Sequence, residues 1–223
     1  MTNIELRNID PEDIEDLLLE VEASFDIKFT DNELAHVRTF GDIIDHIKSK
    51  IKLVNTDDCT TQQAFYKLRR AIFTTLQIDK DRLTPDTLLQ ELLPRKTRKT
   101  GIESIEQALG FKLSIVRPPH IVTGFLIILL LGSFIGLFYN WLFGLAGLGL
   151  AICGLWLALK PGNELDIKTV GQLAVKMTRE NYLKSRRNPK TYNNTEIEKV
   201  LTDWFSYDFG IDKSKLTREA RLT

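Results

Sequence analysis

The sequence predicts an all-α protein, and three observations predict it. One is an uncharged apolar stretch from Ile121 to Leu159. The second is helical spacing of apolar residues through most of the remaining chain. The third is a pair of segments that each occur twice, in an altered order.

Between Ile121 and Leu159 there is no Asp, Glu, Lys, Arg or His. That run of about 39 residues is roughly twice the ~20 needed for one bilayer crossing. As a single helix it would measure ~58 Å, so it is expected to fold back on itself. The break falls at Tyr139-Asn140-Trp141, a polar amide between two aromatics, giving helices over 121–138 and 142–159. Gly132 with Gly136, and Gly147 with Ala151, set small residues four apart for close packing. Arg117 and His120 with Pro118-Pro119 lead in, and Lys160-Pro161-Gly162 lead out. The expectation is a transmembrane helical hairpin over 118–160 in a multi-pass protein of the inner (plasma) membrane. The basic flanks set its soluble domains and both termini on the cytoplasmic side. The start of the chain has no basic, apolar leader pattern, so no cleavable signal is expected.

The first repeat pairs Ile78-Asp-Lys-Asp-Arg-Leu-Thr84 with Ile211-Asp-Lys-Ser-Lys-Leu-Thr217. Each follows an amphipathic helix, one carrying Ala64, Phe65, Leu68, Ile72 and Leu76, the other Ile197, Val200, Leu201, Trp204 and Phe205. The second pairs Asn32-Glu-Leu34 and Val37-Arg-Thr-Phe-Gly41 with Asn163-Glu-Leu165 and Ile167-Lys-Thr-Val-Gly171. Each leads into a short helix, 40–50 and 170–181, with Thr39 and Thr169 as expected N-caps. The chain therefore holds two copies of one unit. The first lacks its opening helix, and the last 32 residues supply an opening helix with nothing after it. Residues 192–223 are expected to return onto 1–53 as a circular permutation. Exchange of that helix with a second molecule, giving a homo-oligomer, is the alternative.

The stretch Asp10-Pro-Glu-Asp-Ile-Glu-Asp-Leu-Leu-Leu-Glu-Val-Glu-Ala-Ser-Phe-Asp-Ile-Lys-Phe29, with Thr30–Ile47 after it, resembles the second helix and following segment of acyl carrier proteins. The resemblance implies two small four-helix bundles, A over 1–53 completed by 192–223, and B over 60–117 and 163–183 with the hairpin inserted. That family attaches a 4'-phosphopantetheine arm to a serine in Asp-Ser-Leu. Here Asp10-Pro11 stands at that place in the first copy. In the second, alignment gives Thr97 from one side and Arg95 from the other, within the basic Pro94-Arg-Lys-Thr-Arg-Lys99. Gly101-Ile-Glu-Ser-Ile-Glu106 imitates the family motif, so Ser104 is the candidate attachment residue in an alternative reading.

Lys and Arg total 30, as do Asp and Glu, and this zero balance argues against nucleic acid as a partner. Cys59 and Cys153 are too few and too far apart for a disulfide framework. His36, His46 and His120 show no metal-ligand spacing, Cys59 has no base beside it, and no Gly-rich phosphate loop, Gly-x-Ser-x-Gly or His-Glu-x-x-His occurs, so neither a metal nor catalysis is expected. Arg95, Lys96, Arg98, Lys99, Arg117, Lys160, Arg186 and Arg187 are expected to contact membrane lipid. The expected function is a membrane-anchored, non-catalytic interaction or assembly protein with a protein partner. The alternative is a membrane-tethered acyl carrier modified at Ser104, serving lipid or envelope biosynthesis.

Overall fold

The computed structural model describes residue 9 and residues 11–30, 33–34, 37–118, 120–159 and 162–221. Side chains at 11, 120, 121, 123, 158 and 159 are outside the description. Asp10, Asn32, His36, Pro119, Lys160 and Pro161, and the side chain of His120, therefore lie outside it. The chain is mostly helical. In order come α1 (Pro11–Phe25), α2 (Phe40–Lys50), β1 (Val54–Asn55), α3 (Thr60–Leu76), α4 (Leu89–Leu92) and α5 (Arg98–Leu109). Then follow β2 (Val116–Arg117), α6 (His120–Gly136), α7 (Trp141–Leu159), β3 (Glu164–Leu165), α8 (Val170–Glu180), α9 (Tyr182–Ser185), β4 (Thr191–Tyr192) and α10 (Asn194–Phe209).

Local chemistry sets the ends of these helices. Thr39 and Asp42 form a reciprocal capping box at the start of α2. Asn193 caps α10 through its side chain, and Gly210 ends that helix at φ +63°. Gly110 ends α5 the same way at φ +81°, a conformation that glycine adopts without strain.

The chain divides into two compact units, residues 1–85 with 170–223, and residues 86–169. This cuts across the expected bundles: 60–85 and 170–183 join the first unit, and 86–117 stay with the hairpin. Packing explains the difference. Helix α3 lies on α8 and α9; both of these lie on α1, and α8 also lies on α10. Buried Ser24 fastens that seam, donating to the Arg179 carbonyl and accepting from the Tyr182 amide at 2.8 Å.

The core of the first unit draws Leu17, Leu18, Val21 and Phe25 from α1, and Phe40, Ile43, Ile44 and Ile47 from α2. From α10 come Ile197, Val200, Leu201, Trp204 and Phe205. The C-terminal helix thus packs on the N-terminal helices of its own chain. Full burial of each large side chain contributes about 1.5–3 kcal/mol. The backbone adds a seam: Phe40 and Gly41 donate to the carbonyls of Ala220 and Arg218 at 2.9 and 2.8 Å. Gly171 donates to Pro85 at 2.8 Å, the corresponding bond in the second copy. A Cβ on Gly41 would meet the Arg218 oxygen at 2.7 Å, and one on Gly171 the Pro85 oxygen at 2.9 Å, so both sites require glycine.

In the second unit, β2 and β3 pair antiparallel, Val116 opposite Leu165 and Arg117 opposite Glu164. Leu88 and Thr169 form a bridge, matching Thr39 and Arg221 in the first unit. Helices α6 and α7 pack through small residues on α7: buried Ala151, and Gly144, Gly147 and Gly154, where an added Cβ would strike Leu137, Ser133 and Leu126. Gly132 faces open space and takes no part. The reversal lies at 137–140, and the Asn140 side chain accepts from the Leu142 amide at 3.1 Å to start α7.

The transmembrane expectation is corrected here. Among the described residues no helix is long and apolar enough to cross a membrane. Helix α6 has 17 residues and α7 has 19. Those lengths correspond to ~25 and ~28 Å, against a hydrocarbon layer of about 30 Å. The uncharged run read as two crossings because the sequence does not show how many residues the turn consumes. The membrane and multi-pass inner-membrane assignments fall with it. The hairpin nevertheless exposes large apolar side chains, among them Phe125, Ile128, Phe138, Trp141, Phe143 and Leu150.

Candidate functional site

The two copies share a carboxylate clamp that sets their register. Buried Glu22 accepts from the Phe29 amide and from Lys28 Nζ at 2.8 Å. Buried Glu106 accepts from the Leu113 amide at 2.8 Å and from Lys112 Nζ at 2.7 Å. Burial works to raise the Glu22 carboxyl, but Lys28 and the Phe29 amide outweigh it and hold it below the usual range. The sequence signal was present in Val21-Glu22, Ile27-Lys28-Phe29 and Ile105-Glu106, Phe111-Lys112-Leu113, and reading by helices alone passed over it. In this register Pro11 corresponds to Arg95 and Glu20 to Ser104. Ser104 sits within α5 rather than at its start, and its Oγ donates to the Thr100 carbonyl at 2.9 Å.

A groove of about 610 Å³ opens in the first unit among α3, α8 and α10. Phe65, Tyr66, Ala174, Val175 and Val200 give it apolar walls. Glu196, Lys199, Asp203 and Arg179 supply charge of both signs. Arg179 is buried, and its guanidinium stacks 3.9 Å from the Tyr207 ring centroid. Burial pushes the neighbouring Asp208 carboxyl up, against the pull of Arg179, Trp204 and Lys176. Glu20 is also raised, first by burial and then by Asp208 and Glu180. Cys59 lies at the groove's edge, at the N-terminus of α3.

Arg186 corrects an expectation of surface contact: it is 0% exposed. Its guanidinium donates to Thr56 Oγ1 at 2.6 Å, to Thr60 Oγ1, and to the Asp58 carbonyl at 3.3 Å; its Nε donates to Thr191 Oγ1 at 3.2 Å. Glu196 lies 3.9 Å away and accepts from the Thr60 amide at 3.0 Å, capping α3 from α10. The Tyr182 hydroxyl accepts from the Asn193 amide at 3.0 Å, and burial pushes its pKa up. The knot ties α3, α9, β4 and α10 together. A buried arginine is tolerated because every side of it meets an acceptor.

The other basic residues are dispersed. Lys96 and Lys99 are exposed near the start of α5, and Arg95 lies 3.6 Å from Glu164. Arg98 is 8% exposed, a second departure from surface contact. Arg117 pairs with Asp166 at 2.8 Å in the second unit. Arg187, in the first unit, uses its amide to bond Gln63 Oε1 at 2.7 Å. Among the described residues no group of three His, Cys, Asp or Glu side chains is arranged to hold a metal. Set against models of known families, curated proteins and solved structures, the chain has no match.

Proposed function

We propose that this chain is a non-catalytic interaction or assembly protein. It is built on two degenerate acyl-carrier-like helical modules, the first permuted and completed by residues 192–223. One observation carries the reading: Pro11 and Arg95, which correspond in the clamp register, stand where the resembled family keeps its attachment serine, and neither has a hydroxyl. The groove among α3, α8 and α10 supports it, since apolar walls with charge of both signs suit a side chain or short segment of a protein partner. Specificity would come from Arg179, Lys199, Glu196 and Asp203.

Two experiments test this. The chain is co-expressed with a phosphopantetheinyl transferase and its intact mass measured; the mass is expected to be unchanged. A gain of one arm that disappears in Ser104→Ala replaces the proposal with the carrier reading. In the second, a photo-crosslinking residue is placed at Tyr66 or at Val175 in the groove, and at Glu219 as a control. Discrete adducts from the groove positions alone are expected, and equal or absent adducts at all three count against a docking role.

A further inference from the structure

The charges in the groove among α3, α8 and α10 are not equally free. Both carboxylates are engaged from outside it. Glu196 accepts from the Thr60 amide at 3.0 Å and lies 3.9 Å from Arg186, and Asp203 pairs with Lys213 at 2.5 Å. The two cations differ. Lys199 is exposed and has no ion pair among the described residues. Arg179 is 6% exposed, and its Nε is buried with no hydrogen-bond partner. The Tyr207 ring attracts the guanidinium through its face but offers no acceptor in the plane of the N–H groups. Asp208 attracts it too, yet no ion pair joins the two among the described residues, and burial pushes that carboxyl up towards its neutral form. Tyr207 follows Asp203 by one turn of α10, which sets the guanidinium at one end of the groove. A buried guanidinium with an unmet donor is costly until an acceptor reaches it.

We propose that this groove takes an apolar segment of a protein partner that carries a carboxylate. The carboxylate sits on Arg179, and the apolar side chains lie on Phe65, Tyr66, Val175 and Val200. This assignment rests on the docking role given to the groove above and names the chemistry of the partner. Charge complementarity selects the sign. A basic side chain would meet Arg179 and Lys199 with both groove carboxylates already engaged, and a neutral one would leave Arg179 without a counter-charge. The paired N–H donors of a guanidinium match the two oxygens of a carboxylate. One buried cation suits one negative charge, and the apolar walls call for an apolar body beside it.

The test titrates the full, nitrogen-labelled chain at constant ionic strength and reads the nuclear magnetic resonance signals of the Val175 and Val200 amides and of Arg179 Nε–H. The probes are a blocked tripeptide of leucine, glutamate and phenylalanine, its counterparts with glutamine or lysine in place of the glutamate, and octanoate as a free apolar acid. The glutamate peptide is expected to shift all three signals and to bind about tenfold tighter than the glutamine peptide, with the lysine peptide weakest. Arg179→Gln is expected to remove the preference for glutamate. If that variant does not fold, Arg179→Lys, which keeps the charge and loses the fork, is expected to weaken the glutamate peptide by about threefold or more. The proposal is overturned if no peptide binds, if the three bind alike, or if the preference survives unchanged in the folded Arg179 variant. Tighter binding of octanoate than of the glutamate peptide assigns the groove to a free acid and also overturns it. Crosslinking from Tyr66 and Val175 reports on docking separately: adducts there without a preference for the carboxylate sink this assignment and leave the docking role standing.

Discussion

Phe205→Ala is the sharpest test of how the C-terminal helix is held. Phe205 is fully buried, its ring 4.9 Å from that of Phe40 at 64° and 5.4 Å from that of Phe209 at 66°. Truncation removes a large apolar side chain from a closed core and leaves a cavity, which costs about 3–5 kcal/mol. The edge-on pairing with Phe40 accounts for about 0.5–1.5 kcal/mol of coupling beyond area. That loss is a large fraction of the ~5–15 kcal/mol typical of a domain. Urea unfolding followed by circular dichroism gives the loss from the shift in midpoint at unchanged slope. A cycle with Phe40→Ala isolates the pair. A loss below about 1 kcal/mol for Phe205→Ala, or zero coupling between the two rings, refutes the packing of α10 on α2.

Four further perturbations test the rest of the packing and the charges. Gly41→Ala and Gly171→Ala each push a Cβ into a carbonyl oxygen, and each is expected to cost about 1–3 kcal/mol in urea unfolding. Gly132→Ala and Gly149→Ala, with open space around them, are expected to be neutral or mildly stabilising. Glu33 is held down to about 2 by Lys50 at 2.6 Å and by the Thr30 amide. Its depressed folded pKa stabilises the fold above pH 4.5 and loses that effect as pH falls towards 2. Glu33→Gln is therefore expected to lower the unfolding midpoint at pH 7, with the difference from the parent vanishing near pH 2. Asp208 has the opposite sign: its raised folded pKa means that the charged form opposes folding at neutral pH. Asp208→Asn is expected to raise the midpoint at pH 7, with the gain shrinking as acid protonates the parent.

The sequence made the helices and their repetition legible because both leave local signatures. Thr39 announced its cap, Asn140 announced the reversal, and the paired Ile-Asp-Lys segments announced equivalent loops. Asp79 and Asp212 start those loops alike, accepting from the amides of Asp81 and Ser214. What stayed hidden was partition in space. Two copies of one amphipathic helix present similar apolar faces, so spacing alone does not reveal that α3 and α8 join α1 and α10 in one compact unit. Arg186 was misread for a related reason: its neighbours Lys184, Arg187 and Lys190 make the segment look like a solvated basic run. The acceptors that bury it, Thr56, Thr60 and the Asp58 carbonyl, come from more than 120 residues away. The groove among α3, α8 and α10 was likewise invisible, being made from three helices far apart in the chain.

The central claim is that residues 192–223 complete the N-terminal module within one chain, and amide hydrogen exchange tests it most directly. The Phe40 and Gly41 amides bond to Ala220 and Arg218, while the Gly171 amide makes the corresponding bond to Pro85. In the intact chain all three are expected to be protected at every protein concentration. In a chain ending at residue 191, Phe40 and Gly41 are expected to exchange freely while Gly171 stays protected. Free exchange of Phe40 and Gly41 in the intact chain, or protection that appears only as protein concentration rises, contradicts the claim.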